Sequence, residues 1–234
     1  MSEALLWYRE VERDEYAAAA AAGIARVLAK NENLDSGLKF LQTARAGQPD
    51  WAATLTRIEA ELLRAHGKPK EAQRLLTEAL VTLPKDDDLR YSRAMAAVDA
   101  ADLRVALDDL RALLAAVPDD PLLQNALGYT LADAGRKLAE AETLLTLALE
   151  GAPDEAAVLD SFGWLKFRRG DVATARGYLE RAYRMDGDAE IAAHLGEVLW
   201  TLGEHDAARG VWTKARAQAP DDRVLAATVA RLDP

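Results

Sequence analysis

Five prolines pace this chain. Pro49, Pro84, Pro118, Pro153 and Pro220 follow one another by 35, 34, 35 and 67 residues. The last step is two periods with one proline missing, its place taken by the turn-forming stretch RMDGDAE around Gly187. Ahead of each mark the same trio recurs: Gly37/Leu41/Ala44, Ala72/Leu76/Ala79, Ala106/Leu110/Leu113, Ala141/Leu145/Ala148, Ala175/Leu179/Ala182 and Ala208/Trp212/Ala215. Spacings of four and then three put each trio on one face of a helix. Upstream of each trio lies a second amphipathic segment, joined to it by a short polar turn such as AHGK (65–68), RRGD (168–171) or TLGE (201–204). The unit is therefore helix, turn, helix, turn, at about 34 residues, and such units stack because none buries its apolar face alone.

A second signal runs at the same interval. Gly128, Gly163 and Gly196 each fall mid-helix, in NALGYTLADAG, DSFGWLKFRRGD and AHLGEVLWTLGEH. Glycine there costs about 1 kcal/mol against alanine, so its recurrence asks for a packing reason: the first helix of a unit meets its partner closely at that point. The composition agrees with helices. Alanine, leucine, arginine and glutamate dominate, half of the 234 residues are apolar, and β-branched residues are sparse. With no cysteine there are neither disulfides nor thiolate metal sites. A formal charge of −10 argues against non-specific nucleic-acid binding, which needs a basic footprint. The alanine-rich run YAAAAAAGIARVLA (16–29) holds Arg26, and no stretch reaches the ~20 apolar residues of a membrane span.

These residues resemble the tetratricopeptide repeat (TPR) family. The leucine–glycine pair of its first helix is matched by Leu127-Gly128, Phe162-Gly163 and Leu195-Gly196, its two small second-helix positions by the trios, and its closing proline by the proline series. The resemblance implies an all-α fold, a right-handed superhelical solenoid of antiparallel helix pairs. Six repeats fit, at 18–51, 52–86, 87–120, 121–155, 156–189 and 190–222, the first three carrying Ala25, Glu59 and Ala94 in place of the glycine. Residues 223–234 read as a capping helix. Residues 1–17 read as the second helix of a truncated repeat, with Ala4, Tyr8 and Val11 as its trio, which suggests further repeats upstream; a natural N-terminal capping helix is the alternative.

TPR solenoids use a concave face lined by the first helices. By register that face holds Arg26, Lys30 and Arg64 early in the chain, then Tyr91, Met95, Asp99, Asn125, Tyr129, Asp133, Asp160, Trp164, Phe167, Arg168, Glu197 and Trp200. The aromatic track is expected to anchor a protein or peptide partner, and Asp99, Asp133 and Asp160 to favour basic groups on it. The plainer reading is that some of these rings fill space between repeats. TPR modules that clamp chaperone tails carry lysine, arginine and asparagine at these places, where this chain has Asn125, Tyr129, Asp160 and Trp164. The basic half of the clamp is missing.

Catalysis finds little support. Asp160, Ser161 and His194 are the types of a hydrolytic triad, but Asp160 and Ser161 are adjacent on a helix and diverge, and His194 lies one repeat away. No nucleophile elbow, phosphate-binding glycine loop or paired-histidine motif is present, and KDDD (85–88) caps a helix rather than forming a calcium loop. The expectation is a non-enzymatic chain without cofactor or metal. The segments LQNALGYTLAD (123–133), VLDSFGWLKFRRG (158–170) and EIAAHLGEVLWTLG (190–203) resemble, more narrowly, exported TPR lipoproteins of Gram-negative bacteria. That resemblance implies a periplasmic adaptor, anchored to the outer membrane by an upstream lipoprotein signal, whose partner is a carboxy-terminal processing protease or a cell-wall enzyme. The alternatives are a self-assembling scaffold, the regulatory arm of an enzyme whose catalytic domain lies upstream, and a cytoplasmic location.

Overall fold

The computed structural model describes residues 17–47 and 49–233. Thirteen α-helices and no strand are present among them. The half repeat expected over the N-terminal residues falls outside the described part. The helices gather into two compact units, one ending at Leu113 and the other beginning at Leu114. Unit 1 contains α1 (Ala17–Asn31), α2 (Leu34–Gly47), a 3-10 turn (Pro49–Trp51), α3 (Ala52–Ala65), α4 (Pro69–Thr82), α5 (Asp87–Asp99) and most of α6 (Leu103–Ala116). Unit 2 contains α7 (Pro121–Asp133), α8 (Leu138–Gly151), α9 (Ala156–Arg168), α10 (Val172–Met185), α11 (Ala189–Thr201), α12 (His205–Gln218) and α13 (Arg223–Leu232). No helix of the described residues is long and apolar enough to cross a membrane.

Short-range chemistry sets where these helices begin and end. Asp86, Asp120, Asp171, Asp188 and Asp222 stand just ahead of helices and accept a hydrogen bond from a first-turn N–H. They satisfy donors that the helix itself leaves unpaired. Pro69 and Pro121 open α4 and α7, where no N–H is needed. Inside four of the helix pairs the turn carries a left-handed glycine, φ +72° at Gly67, +62° at Gly135, +86° at Gly170 and +82° at Gly203. Each closes the same pair of backbone bonds over the end of the preceding helix.

The recurring trios are the core. Leu41, Leu76, Leu110, Leu145 and Leu179 are fully buried, as are Ala72, Ala106, Ala141, Ala175 and Ala208. Each such leucine contributes about 1.5–3 kcal/mol by leaving water. The mid-helix glycines sit under these side chains. A Cβ built on Gly163 would lie 2.8 Å from Leu179 Cγ, and one on Gly128 would lie 2.7 Å from Leu145 Cγ. At Gly196 a Cβ would run into the indole ring of Trp212. The glycines are thus the clearance that lets two helices of one repeat close together. Gly37 performs the same service from the second helix, its missing Cβ facing Ala25 O at 2.6 Å.

Candidate functional site

Unit 2 brings its first helices α7, α9 and α11 side by side. The residues one repeat apart on these helices face each other, and most of them pair. Asp160 on α9 takes both carboxylate oxygens to within 3.0 Å of His194 Nδ1 on α11. The Trp164 ring stacks on the His194 ring at 4.1 Å between centroids and 18° between planes, and on Phe167 at 5.2 Å. Its indole N–H donates to Asp133 Oδ1 at the end of α7, at 3.1 Å. Arg168 lies over the Trp164 ring, 5.8 Å from its centroid, and donates to the Asp133 carbonyl at 2.6 Å. Tyr129 on α7 reaches two helices across, its hydroxyl donating to Glu190 Oε1 on α11 at 2.5 Å.

This arrangement corrects two expectations. Asp160 and Trp164 are not open groove residues, being 5% and 6% exposed. The reason is stacking: Trp164 packs against the rings of both His194 and Phe167, and Asp160 bonds the imidazole. The second correction concerns His194, which sequence spacing set one repeat away from Asp160. Thirty-four residues is one repeat, and on consecutive first helices that brings the two side chains into contact. Ser161 does not join them, since its hydroxyl donates to Ala157 O within its own helix.

Electrostatics at this cluster follow from burial. Tyr129 is raised above the ordinary phenol value by burial and by Glu190 beside it. Burial likewise raises Glu190, although the Tyr129 hydrogen bond opposes it. For His194 burial alone would lower the pKa, but the charge and hydrogen bond of Asp160, with Glu190 and Asp133 behind, leave it raised.

The other site residues fall into place around this centre. Tyr129, Phe167 and Trp200 are half-buried, while Asp133 and Arg168 are exposed. Asn125 is half-buried, with a sequestered side-chain oxygen that has no hydrogen-bond donor. Trp200 forms a smaller aromatic stack, 4.1 Å from His205 and 5.7 Å from Trp212, with Arg209 over its face. Glu197 accepts from Arg231 of α13 at 2.6 Å. In unit 1, on α5, Tyr91 is exposed, Met95 half-buried, and Asp99 accepts from Arg64 at 2.6 Å. Arg26 pairs with Glu61 at 3.5 Å. So the three acids expected to attract a basic partner are each bonded to a donor of this chain. Sequence reasoning missed Glu190 and set His194 apart from Asp160; the signal for that second contact was their spacing of 34 residues, one repeat, read across helices rather than along them.

A sequence profile described as the tetratricopeptide repeat matches residues 91–156 and 161–223. The chain is 42% identical over 171 residues to a TPR repeat-containing protein of Pseudomonas aeruginosa, covering 73% of this chain and 29% of that protein's length. Among solved structures it is similar to a thermophilic TPR protein of Thermus thermophilus, with 24% identity, a TM-score of 0.67 and coverage of 77% of this chain and 98% of that one. It is also similar to YrrB, described as a TPR protein with an unusual peptide-binding site, with 22% identity, a TM-score of 0.51 and coverage of 82% and 97%.

Proposed function

The chain belongs to the tetratricopeptide repeat family, and from that premise we propose that it is a non-enzymatic scaffold holding a segment of a protein or peptide partner on its first-helix faces. The observation that carries this reading is the aromatic track of unit 2. Tyr129, Phe167 and Trp200 each keep part of a ring at the surface, and each is fixed by a stack or a hydrogen bond. Rigid, half-exposed rings offer large contact area at low entropic cost. The peptide-binding site of YrrB supports the reading by analogy of fold. We take the partner contact to be mainly apolar, because Asp99, Asp133 and Asp160 are bonded internally. The repeat boundaries set out from the sequence belong to the same proposal. Its finer part is that the partner lies in the cell envelope, the chain serving as a periplasmic adaptor for a carboxy-terminal processing protease or a cell-wall enzyme; the segments 123–133, 158–170 and 190–203 support that part.

The test places a photo-crosslinking residue at the exposed rim position of Arg168, with a control at exposed Thr146 on α8. Each variant is exposed to envelope extract and the adducts are identified by mass spectrometry. A single competable protease or cell-wall enzyme trapped from Arg168 and not from Thr146 supports the proposal. Equal trapping at both positions, or only copies of the chain itself, overturns it in favour of self-assembly.

A further inference from the structure

The strongest unexplained feature of unit 2 is a buried charge cluster placed across the contact between adjacent repeats. His194 is 4% exposed and Asp160 5%. The charged groups that act most strongly on the imidazole among the described residues are acidic: Asp160 from α9, Glu190 from its own helix and Asp133 from α7, with the Tyr129 ring tilted against it at 6.0 Å. The cations nearby on other helices are engaged elsewhere. Arg231 of α13 bonds Glu197, Arg176 of α10 bonds Glu180 and Glu204, Arg209 of α12 bonds Asp233, and Arg168 of α9 bonds the Asp133 carbonyl. The imidazolium is thus the one cation held directly by the buried carboxylate of Asp160 among the described residues.

We infer that His194, Asp160 and Glu190 form a proton-operated latch across α7, α9 and α11, closed while His194 carries its proton and released when it does not. With the proton present, the ion pair ties α9 to α11, and the cationic ring stacks on Trp164. Without it, the Asp160 carboxylate stays buried with no counter-charge and with Glu190 behind it, a costly state that favours parting of the helices. Trp164 lies under the same ring and is uncovered as they part. The direction follows from linkage. A histidine whose folded-state pKa is raised binds its proton more tightly in the folded state. The stability it lends is complete below the unfolded value of about 6.5 and is lost as pH rises through the folded value. Glu190, also raised, acts in the same direction at lower pH, from its ordinary carboxylate value upward. The consequence for partner capture rests on the reading of this face as the binding face: release supplies Trp164 as a further apolar anchor.

Two readouts test the latch without a partner. Imidazole nitrogen NMR follows the His194 titration, and hydrogen exchange by mass spectrometry, corrected for intrinsic chemistry, follows α9 and α11 from pH 5 to 9. The expected result is a His194 midpoint above 6.5 and a fall in α11 protection of at least tenfold across it, with α5 unchanged. In His194→Gln the protection of α11 no longer depends on pH; should that variant fail to fold, Asp160→Asn gives the same reading by removing the partner charge. A His194 midpoint at or below 6.5, or α11 protection that stays flat or falls in step with α5, overturns the latch. Crosslinking from the Arg168 position across the same pH range separates the two proposals. Capture that persists while the latch signals are absent sinks the latch alone. Latch signals with no capture at any pH sink the proposed function alone. Capture that rises across the His194 midpoint supports both.

Discussion

Ala101 occupies a place that four glycines occupy elsewhere. Its φ is +58°, matching Gly67, Gly135, Gly170 and Gly203 at intervals of one repeat. Its N–H bonds to Val98 O and the next N–H to Ala97 O, as at the glycine turns. A left-handed alanine costs about 1–2 kcal/mol from its Cβ, while glycine adds back about 0.4–1 kcal/mol of unfolded-chain freedom. Ala101→Gly is therefore expected to stabilise the protein by about 0.5–1 kcal/mol. Urea unfolding checks it: the midpoint should rise with an unchanged slope, and an unchanged or lower midpoint would show that this turn is not strained. The opposite substitution at Gly170 should destabilise for the same reason.

At the scale of a helix pair, α11 and α12 solve the common packing problem with an uncommon residue. Where other trios have leucine, this one has Trp212, 3% exposed, and its indole fills the space that the missing side chain of Gly196 leaves. A methyl group at Gly196 would meet the ring at 1.9 Å, a harder clash than the 2.7 and 2.8 Å at which one on Gly128 or Gly163 would meet its leucine. In a double-mutant cycle, Gly196→Ala and Trp212→Leu should each destabilise, with a coupling energy of about 1 kcal/mol or more in the direction of mutual rescue. Thermal or urea unfolding of the four proteins measures it, and strictly additive losses would mean that the glycine serves only helix geometry. Both residues of this pairing are legible in the sequence as repeat positions, because repeated spacing reports what is common to all units: trio, glycine, turn and proline. What escaped was particular to one contact. Asp160 and His194 lie on different helices, and their meeting depends on how two first helices align across a repeat boundary. Trp164 was placed on the right helix, but its burial is decided by the rings of His194 and Phe167 that pack against it, which periodicity along one helix cannot reveal.

For the whole molecule, charge acts at two ranges that should be separable in kinetics. The chain carries a formal net charge of −10, so a basic partner is drawn in from a distance. At the first-helix faces themselves, however, Asp99, Asp133, Asp160 and Glu197 already accept from Arg64, Trp164, His194 and Arg231. A partner's lysine or arginine would have to displace one of these donors to gain a direct bond, and exchanging one ion pair for another yields little. Long-range attraction is screened beyond about 8 Å at physiological salt, whereas contact between rings is not. For a basic partner segment, surface plasmon resonance between about 50 and 500 mM NaCl should show association slowing several-fold while dissociation changes less than about twofold. The same series with an Arg168→Ala variant distinguishes the sources, since Arg168 Nη1 also lies 3.8 Å from Asp133 Oδ1 and its loss leaves that carboxylate without a neighbouring cation, open to one from the partner. Dissociation should then become salt-dependent. If the unaltered chain already dissociates faster in high salt, its carboxylates are exchanging donors with the partner, and contact is polar rather than aromatic.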